Sequence, residues 1–339
     1  MDLKQCLTAL CGAAGAGGMD DAALVAADFL REFAGEVRLD TLGSVTAVRR
    51  CGKEKAPLLL LEAHIDEIGF IVTGTDKKGF IHVDKCGGAD DRALPAADVI
   101  VWADKPYPGV FGSTPPHLAG GADKLPAVPD MGIDLGLDPK QAKKKIKPGA
   151  RVTFRPEFRT LCGTRVSSKA LDDRAGAASI LFCLDLLREE ALSWDIAVAF
   201  AVQEELGCRG SAVAAFAAAP DRAIAVDVSF AVTPDANPAK CGVMGKGPMV
   251  GYAPGLDKGM SRRLTQLAAD AGIPAQREIM GGDTGTDADA IASSRAGVPT
   301  ALLSIPLKYM HTPAEVVDLT DVENTGRLMA EYIRKEAAV

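Results

Sequence analysis

Apolar runs of strand length recur along this chain, and segments with helical periodicity separate most of them. The clearest runs are residues 58–63, 195–202 and 223–228, which are apolar at nearly every position and not only at alternate ones. Such a strand is buried on both faces, as in a parallel sheet that helices cover on both sides. The pattern predicts an α/β fold with a mainly parallel mixed sheet flanked by helices. Helices are expected at 21–34, 175–190, 210–219, 262–271 and 321–338.

The pattern of predicted secondary structure changes between residues 67 and 160. Short strand-like pieces separated by Gly, Pro and Asp occur there at 69–73, 80–83, 98–102, 109–112 and 151–154. Pro106 and Pro108 disfavour a helix in this region, where only 138–147 has a helical pattern. We therefore predict a small β-rich domain at 67–160, inserted into a discontinuous α/β domain formed by 1–66 and 161–339.

Charge, hydropathy and cysteine content limit the kinds of partner and compartment that fit this chain. The net charge of −7 and the lack of a basic stripe argue against a nucleic-acid surface. The longest apolar runs have strand length, well short of the roughly 20 residues that cross a bilayer. The eight scattered cysteines form no C-x-x-C pair and are expected to be buried or half-buried free thiols. Together with an N-terminus unlike a signal peptide, these features predict a cytoplasmic protein without nucleic-acid or membrane partners.

A histidine and an aspartate follow the apolar run 58–63. Ligands in open α/β sheets gather at the carboxyl ends of strands, which is where His64 is expected. A metal-bound imidazole usually donates its second N–H to a carboxylate, and Asp66 could accept it. Taken alone, this pattern fits a structural histidine better than a metal ligand.

Two adjacent glutamates, Glu204 and Glu205, end the buried run 195–202. Acids at such a place are costly to desolvate unless they are paired or bind a metal, and Gly207 and Gly210 allow a turn that aims both at one cleft. One glutamate can then bind a metal while the other takes a proton from water, a division of labour that suits hydrolysis. An exposed acidic loop is the alternative.

Three further side chains of ligand type accompany the predicted strands and helices. Asp172 precedes the helix at 175, Asp227 ends an apolar strand, and His311 follows the strand 300–305. Each has a structural alternative, such as helix capping for Asp172. Their joint occurrence with His64 and the glutamates favours a two-metal hydrolase. The remaining histidines, His82 and His117, fit structural positions better.

Six segments of the chain resemble a known family. They read AHIDEIGF at 63–70, GSTPPH at 112–117, GIDLG at 132–136, KALDDRAG at 169–176, QEELG at 203–207 and IPLKYMHTP at 305–313. In this order they resemble the M42 family of metallo-aminopeptidases, the glutamyl and tetrahedral aminopeptidase group, over nearly the whole chain.

The resemblance implies a dinuclear metallopeptidase fold with two divalent metal ions per subunit, zinc, cobalt or manganese. It places His64 and Asp227 on one metal, Glu205 and His311 on the other, and Asp172 between the two. Glu204 would be the general base that activates a water bridging the metals, and Asp66 would orient His64. The implied activity is the release of N-terminal amino acids from short peptides.

The resemblance also bears on specificity and assembly. Gly285, Thr286 and Asp287 are similar to the family's loop beside the substrate pocket. Asp283 and Asp289 make this loop acidic, which favours basic or neutral N-terminal side chains over glutamate. The β-rich insertion corresponds to a dimerisation domain, so a homo-oligomer built from dimers, up to a dodecamer, is expected.

Other functions remain open at this point. An N-acyl-amino-acid deacylase could use the same two-metal set with a different pocket. Relatives have been labelled endoglucanases, but a glycosidase normally uses two carboxylates that flank a sugar and needs no metal pair. A non-catalytic metal-binding scaffold is the third alternative.

Overall fold

One eight-stranded sheet organises most of the chain. The structure is a computed structural model that describes residues 1–115, 117 and 127–336. In the order in which they pair, the strands of this sheet are β1 (Val37–Leu39), β2 (Val45–Arg49), β12 (Asp195–Ala201), β3 (Leu58–His64), β13 (Arg222–Phe230), β16 (Thr300–Leu307), β14 (Met249–Tyr252) and β15 (Gln276–Ile279). The four strands β12, β3, β13 and β16 pair in parallel, whereas β2 and β14 pair with them antiparallel. The predicted mainly parallel mixed sheet is confirmed.

Helices cover both faces of the sheet. The helices are α1 (Leu3–Gly12), α2 (Asp21–Leu30), α3 (Pro139–Lys145), α4 (Leu171–Leu186), α5 (Arg209–Ala218), α6 (Lys258–Ala271), α7 (Asp287–Ala292) and α8 (Leu319–Lys335). One face carries large apolar side chains such as Leu59 and Val198 against α1, α2, α4, α6 and α8. The other carries small ones such as Ala199 and Ala225 against α5 and α7. Because both faces are covered, the strands need apolar residues at nearly every position.

The β-rich segment forms a closed antiparallel barrel. Its strands pair in the order β4 (Gly69–Thr75), β5 (Ile81–Cys86), β8 (Ile133–Asp134), β7 (Pro106–Phe111), β6 (Asp98–Trp102) and β9 (Arg151–Phe154). Phe70 lies at the centre of the barrel core, edge-on to Phe111 at 5.1 Å and to Phe154 at 5.7 Å between ring centroids. The predicted β-rich module is confirmed, and the domain boundaries at 66/67 and 160/161 stay a prediction.

A small antiparallel sheet connects the end of the barrel segment to the C-terminal part of the chain. It pairs β10 (Arg159–Thr160) with β11 (Arg165–Ser168), and β11 with β17 (Glu315–Asp318). This pairing places Glu315 next to the start of α4, which matters for the site described below.

The cysteines are all free thiols, as predicted. Seven are buried or half-buried, whereas Cys162 is exposed, because it lies in the turn between β10 and β11. Among the described residues, no helix combines the length and the apolar character needed to cross a bilayer. The cytoplasmic location stays a prediction.

A buried ion cluster joins the sheet, the barrel and the N-terminal helix. Both carboxylate oxygens of Glu67, at the entry to the barrel, accept hydrogen bonds from Lys169 Nζ at 2.8 and 2.7 Å. Arg174 Nη2 lies 3.3 Å from Glu67, and Arg174 Nη1 donates to the carbonyl of Ala13 at 2.6 Å. Burial lowers the pKa of Lys169, and Glu67 opposes that shift. The carboxylate therefore compensates two cations that are almost completely buried.

We expect Glu67→Gln to reduce the free energy of unfolding by about 3–5 kcal/mol, because it leaves Lys169 and Arg174 buried without their counter-charge. The measurement is the urea concentration at the midpoint of unfolding, monitored by circular dichroism. The matched control is Glu157→Gln, which makes the same change in an exposed ion pair with Arg159 and should leave the midpoint unchanged. Equal midpoints for the two variants would contradict the role assigned to Glu67.

Candidate metal centre

The candidate ligands meet at the carboxyl edge of the parallel strands. His64 is the last residue of β3, and its register partner is Ala201, the last residue of β12. The turn after β12 carries Glu204 and Glu205, so it lies beside His64. Asp227 lies in β13, and His311 follows the end of β16 by four residues. Parallel pairing thus brings segments that are distant in sequence to one edge of the sheet.

The first group of donors is formed by His64, Asp172 and Asp227. Their candidate ligand atoms all lie within 4.8 Å of one another. His64 Nε2 lies 3.0 Å from Asp172 Oδ1 and 3.8 Å from Asp227 Oδ1. On the other side of the ring, His64 Nδ1 lies 3.5 Å from Asp66 Oδ1. The three donors are buried and converge on one point.

The second group of donors is formed by Asp172, Glu205 and His311, again with ligand atoms within 4.8 Å. His311 Nε2 lies 3.4 Å from Asp172 Oδ2 and 3.4 Å from Glu205 Oε1. Its Nδ1 lies 3.0 Å from the carbonyl oxygen of Gly88, which the barrel segment contributes. Asp172 belongs to both groups, with one carboxylate oxygen turned towards each histidine.

Local contacts leave the side chain of Asp172 available to the site. Asp173 Oδ1 accepts a hydrogen bond from the N–H of Gly176 at 3.0 Å, so Asp173 supplies the cap-like contact at the start of α4. The backbone of Asp172 is not helical, with φ −78° and ψ 106°. Its N–H donates to Glu315 Oε2 at 3.1 Å, and the N–H of His311 donates to Glu315 Oε1 at 2.9 Å. Glu315, which the sequence analysis missed, therefore ties the two ligand segments together.

Glu204 lies beside both groups of donors. Its N–H donates to Asp66 Oδ1 at 3.1 Å, and Cys208 Sγ lies 3.5 Å from its Oε1. Burial is the main reason why the pKa of Glu204 is raised to about 7. The carboxylates of Asp287 and Glu205 act in the same direction, and His64 opposes them. Such a group can take up and release a proton near neutral pH.

The charges of the site fit divalent cations. Burial raises the pKa of Asp227 and of Glu205, with further contributions from neighbouring carboxylates. Hydrogen bonds to Asp172 and Glu205 raise the pKa of His311 to about 11. Across the described ranges, the positive partners that the two donor groups find within 4.0 Å are the two imidazoles. These cannot balance all the carboxylates, whereas metals that accept oxygen and imidazole ligands, such as zinc, cobalt and manganese, would do so.

A solvent-open pocket of about 190 Å³ adjoins the two donor groups. Gly285 and Thr286 line it, whereas Asp287 is buried and accepts a hydrogen bond from Ser211 Oγ at 2.5 Å. Asp289 accepts from the N–H groups of Thr284 and Gly285, so it shapes the loop. Neither Asp289 nor Asp283 is among the residues that line the pocket.

Glu278 is a pocket residue that the sequence analysis missed. It lies on β15, a four-residue strand that was not predicted because its sequence, Gln-Arg-Glu-Ile, is mostly polar. The other histidines lie outside the pocket. His82 Nδ1 donates to the carbonyl oxygen of Pro129 in the barrel segment at 2.9 Å, and His117 is exposed.

Comparisons with known proteins identify a family and close similarities in sequence and fold. A family model described as M42 glutamyl aminopeptidase matches residues 43–328. A lysyl aminopeptidase of Pyrococcus furiosus is 34% identical over 307 residues, which are 89% of this chain and 87% of the relative.

Solved structures match over almost the whole chain. An aminopeptidase from the archaeon Desulfurococcus kamchatkensis has a TM-score of 0.92 and 30% identity, covering 98% of this chain and 95% of that one. The TET1 peptidase of Pyrococcus horikoshii, described as able to assemble into a tetrahedron or a large octahedral shell, has a TM-score of 0.84 and 29% identity, covering 98% and 99%.

Proposed function

The chain belongs to the M42 family of aminopeptidases, as its motifs predicted, and on this premise we propose that it releases N-terminal amino acids from short peptides at a site holding two divalent cations. The observation that carries the proposal is the position of Asp172, whose two carboxylate oxygens face separate histidines. One carboxylate placed in this way can bridge two cations.

The donors divide into two sets around this bridge. His64 and Asp227 would hold one cation, Glu205 and His311 the other, and Asp172 both. Two cations bound there would lower the pKa of water and polarise the scissile carbonyl. Asp66, 3.5 Å from His64 Nδ1, would fix the tautomer and orientation of that imidazole.

Glu204 is proposed to be the general base. Its carboxylate would take a proton from the attacking water and then give a proton to the nitrogen of the leaving amine. A pKa raised to about 7 supports both steps, because the group must accept and release a proton in one turnover. The hydrogen bond from its N–H to Asp66 holds the turn in place beside His64.

We expect the protein to lose its activity when metal is removed and to regain cleavage of free-amine substrates when metal is added back. The protein is stripped of metal with a chelator and assayed on aminoacyl-p-nitroanilides, free and N-acetylated, before and after addition of zinc, cobalt or manganese. Only the free-amine substrates should be cleaved, and only with metal. Release of acetate from the N-acetylated substrates, without release of p-nitroaniline from the free ones, would identify a deacylase, and no cleavage with any metal would indicate a non-catalytic scaffold.

The variant Glu204→Gln should lower kcat by about 10²–10⁴-fold, because the amide cannot take the proton. Its metal content, measured by mass spectrometry, should stay at the wild-type level, because Glu204 is not among the proposed ligands. Glu323→Gln, the same change on the surface of α8, should leave kcat unchanged. Full activity of a metal-loaded Glu204→Gln variant would rule out the proposed role.

We further propose a homo-oligomer built from dimers, up to a dodecamer. The described assembly of the related TET1 peptidase supports this proposal. Light scattering after size-exclusion chromatography should then give a multiple of the 35.3 kDa subunit, with twelve subunits corresponding to about 424 kDa. A mass of one subunit at micromolar concentration would contradict the proposal.

A further inference from the structure

We propose that Glu278 makes this enzyme selective for peptides that begin with lysine or arginine, by pairing with the cationic end of that side chain. The inference rests on the proposed function, because it concerns the pocket beside the candidate metal centre. In this proposal the preference for a basic N-terminal side chain depends on Glu278, which lies on the edge strand β15.

Two serine hydroxyls hold the carboxylate of Glu278 in the pocket. Ser229 Oγ donates to Glu278 Oε1 at 2.5 Å, and Ser304 Oγ donates to Glu278 Oε2 at 2.6 Å. Gly251 lies opposite Glu278 in the register of β14 and β15, so that residue places no side chain between Glu278 and β16. The glutamate can therefore reach across β14 towards the middle of the sheet.

Both serines are neighbours of the proposed ligand Asp227. Ser229 follows Asp227 by two residues and lies on the same face of β13. Ser304 on β16 is the register partner of Asp227. At a rise of about 3.3 Å per residue, Asp227 and Ser229 are separated by about 7 Å along the strand. The two serines thus hold the carboxylate of Glu278 at a distance from the metal donors that one long side chain of a substrate can span.

The negative charge of Glu278 lacks a cation from the protein itself. Throughout residues 1–115, 117 and 127–336, none of the ion pairs within 4.0 Å includes the carboxylate of Glu278, whose hydrogen-bond donors are the hydroxyls of Ser229 and Ser304. A carboxylate has about four acceptor positions, and the serines use two of them. The others remain for a ligand. A half-buried carboxylate with fixed position and unpaired charge is complementary to an ammonium or guanidinium group.

The walls of the pocket suit the aliphatic part of such a side chain. Met280, Leu302 and Met310 are among the residues that line it, together with the donor groups and Glu278. A lysine side chain spans roughly 6 Å from Cα to Nζ and can pack its methylene groups on apolar surface while its charge meets a polar partner. With the scissile carbonyl at the metal centre, the ammonium of an N-terminal lysine would reach Glu278.

The same carboxylate disfavours an N-terminal glutamate. Like charges in a half-buried pocket repel each other, and the pocket wall otherwise contributes the carboxylates of the metal centre. The acidity expected from Asp283 and Asp289 is therefore supplied by Glu278 instead, because those two side chains do not line the pocket.

The test compares kcat/KM for lysyl-, arginyl-, leucyl- and glutamyl-p-nitroanilide with the metal-loaded protein. The wild type should prefer lysine and arginine over leucine by at least about tenfold, with glutamate cleaved least. Glu278→Gln should lower kcat/KM for lysine and arginine by about 100-fold. It should keep the value for leucine within about threefold, which also shows that the variant is folded.

Two further variants separate local pairing from other effects. Glu278→Asp keeps the charge and should retain a preference for the basic substrates, although a weaker one. Asp283→Asn removes a negative charge from the exposed loop beside the pocket and should leave the ratio of lysine to leucine unchanged. An equal loss of that ratio in Asp283→Asn and Glu278→Gln would show a general electrostatic effect and overturn the assignment.

The outcomes distinguish this inference from the function on which it rests. Efficient cleavage of the leucyl substrate without a preference for lysine or arginine, or a preference that Glu278→Gln leaves intact, would overturn the inference and leave the aminopeptidase in place. No cleavage of any free-amine substrate would overturn the proposed function and the inference together.

Discussion

The parallel pairing of the four central strands is the constraint on which the rest of the structure depends. Strands that run in the same direction end at the same edge, so the residues just beyond them are brought together whatever their separation in sequence. The register of β3 with β12 places His64 beside the turn of Glu204 and Glu205. Since helices cover both faces of the sheet, this edge is also where polar side chains can cluster without interrupting the apolar layers.

The molecule handles buried charge in two ways. Behind the site, Glu67 is compensated by Lys169 and Arg174, and these three groups link the N-terminal segment, the barrel entry and α4. At the site, carboxylates outnumber their positive partners, and the proposed cations would supply the missing charge. The first arrangement stabilises the frame, and the second makes the site dependent on what it binds.

In the function proposed here, peptide-bond chemistry and side-chain recognition use different strands. The candidate metal donors come from the central strands and the segments after them, whereas Glu278 comes from the edge strand β15. The two parts meet through Ser229 and Ser304, which lie next to Asp227 in the sheet and hold the carboxylate of Glu278. The position of the pocket carboxylate is therefore set by the same strands that position the donors.

The sequence by itself determined the α/β fold, the β-rich module, the candidate base Glu204 and the candidate donors His64, Asp172, Glu205, Asp227 and His311, because apolar runs and motifs are local patterns. Only the tertiary structure decided which side chains touch. It assigned the capping contact to Asp173, made Glu315 the link between two ligand segments, and brought the Gly88 carbonyl from the barrel to His311. It also placed Glu278 in the pocket. These contacts join residues through strand register and packing, and no local pattern in the chain specifies such distant partners.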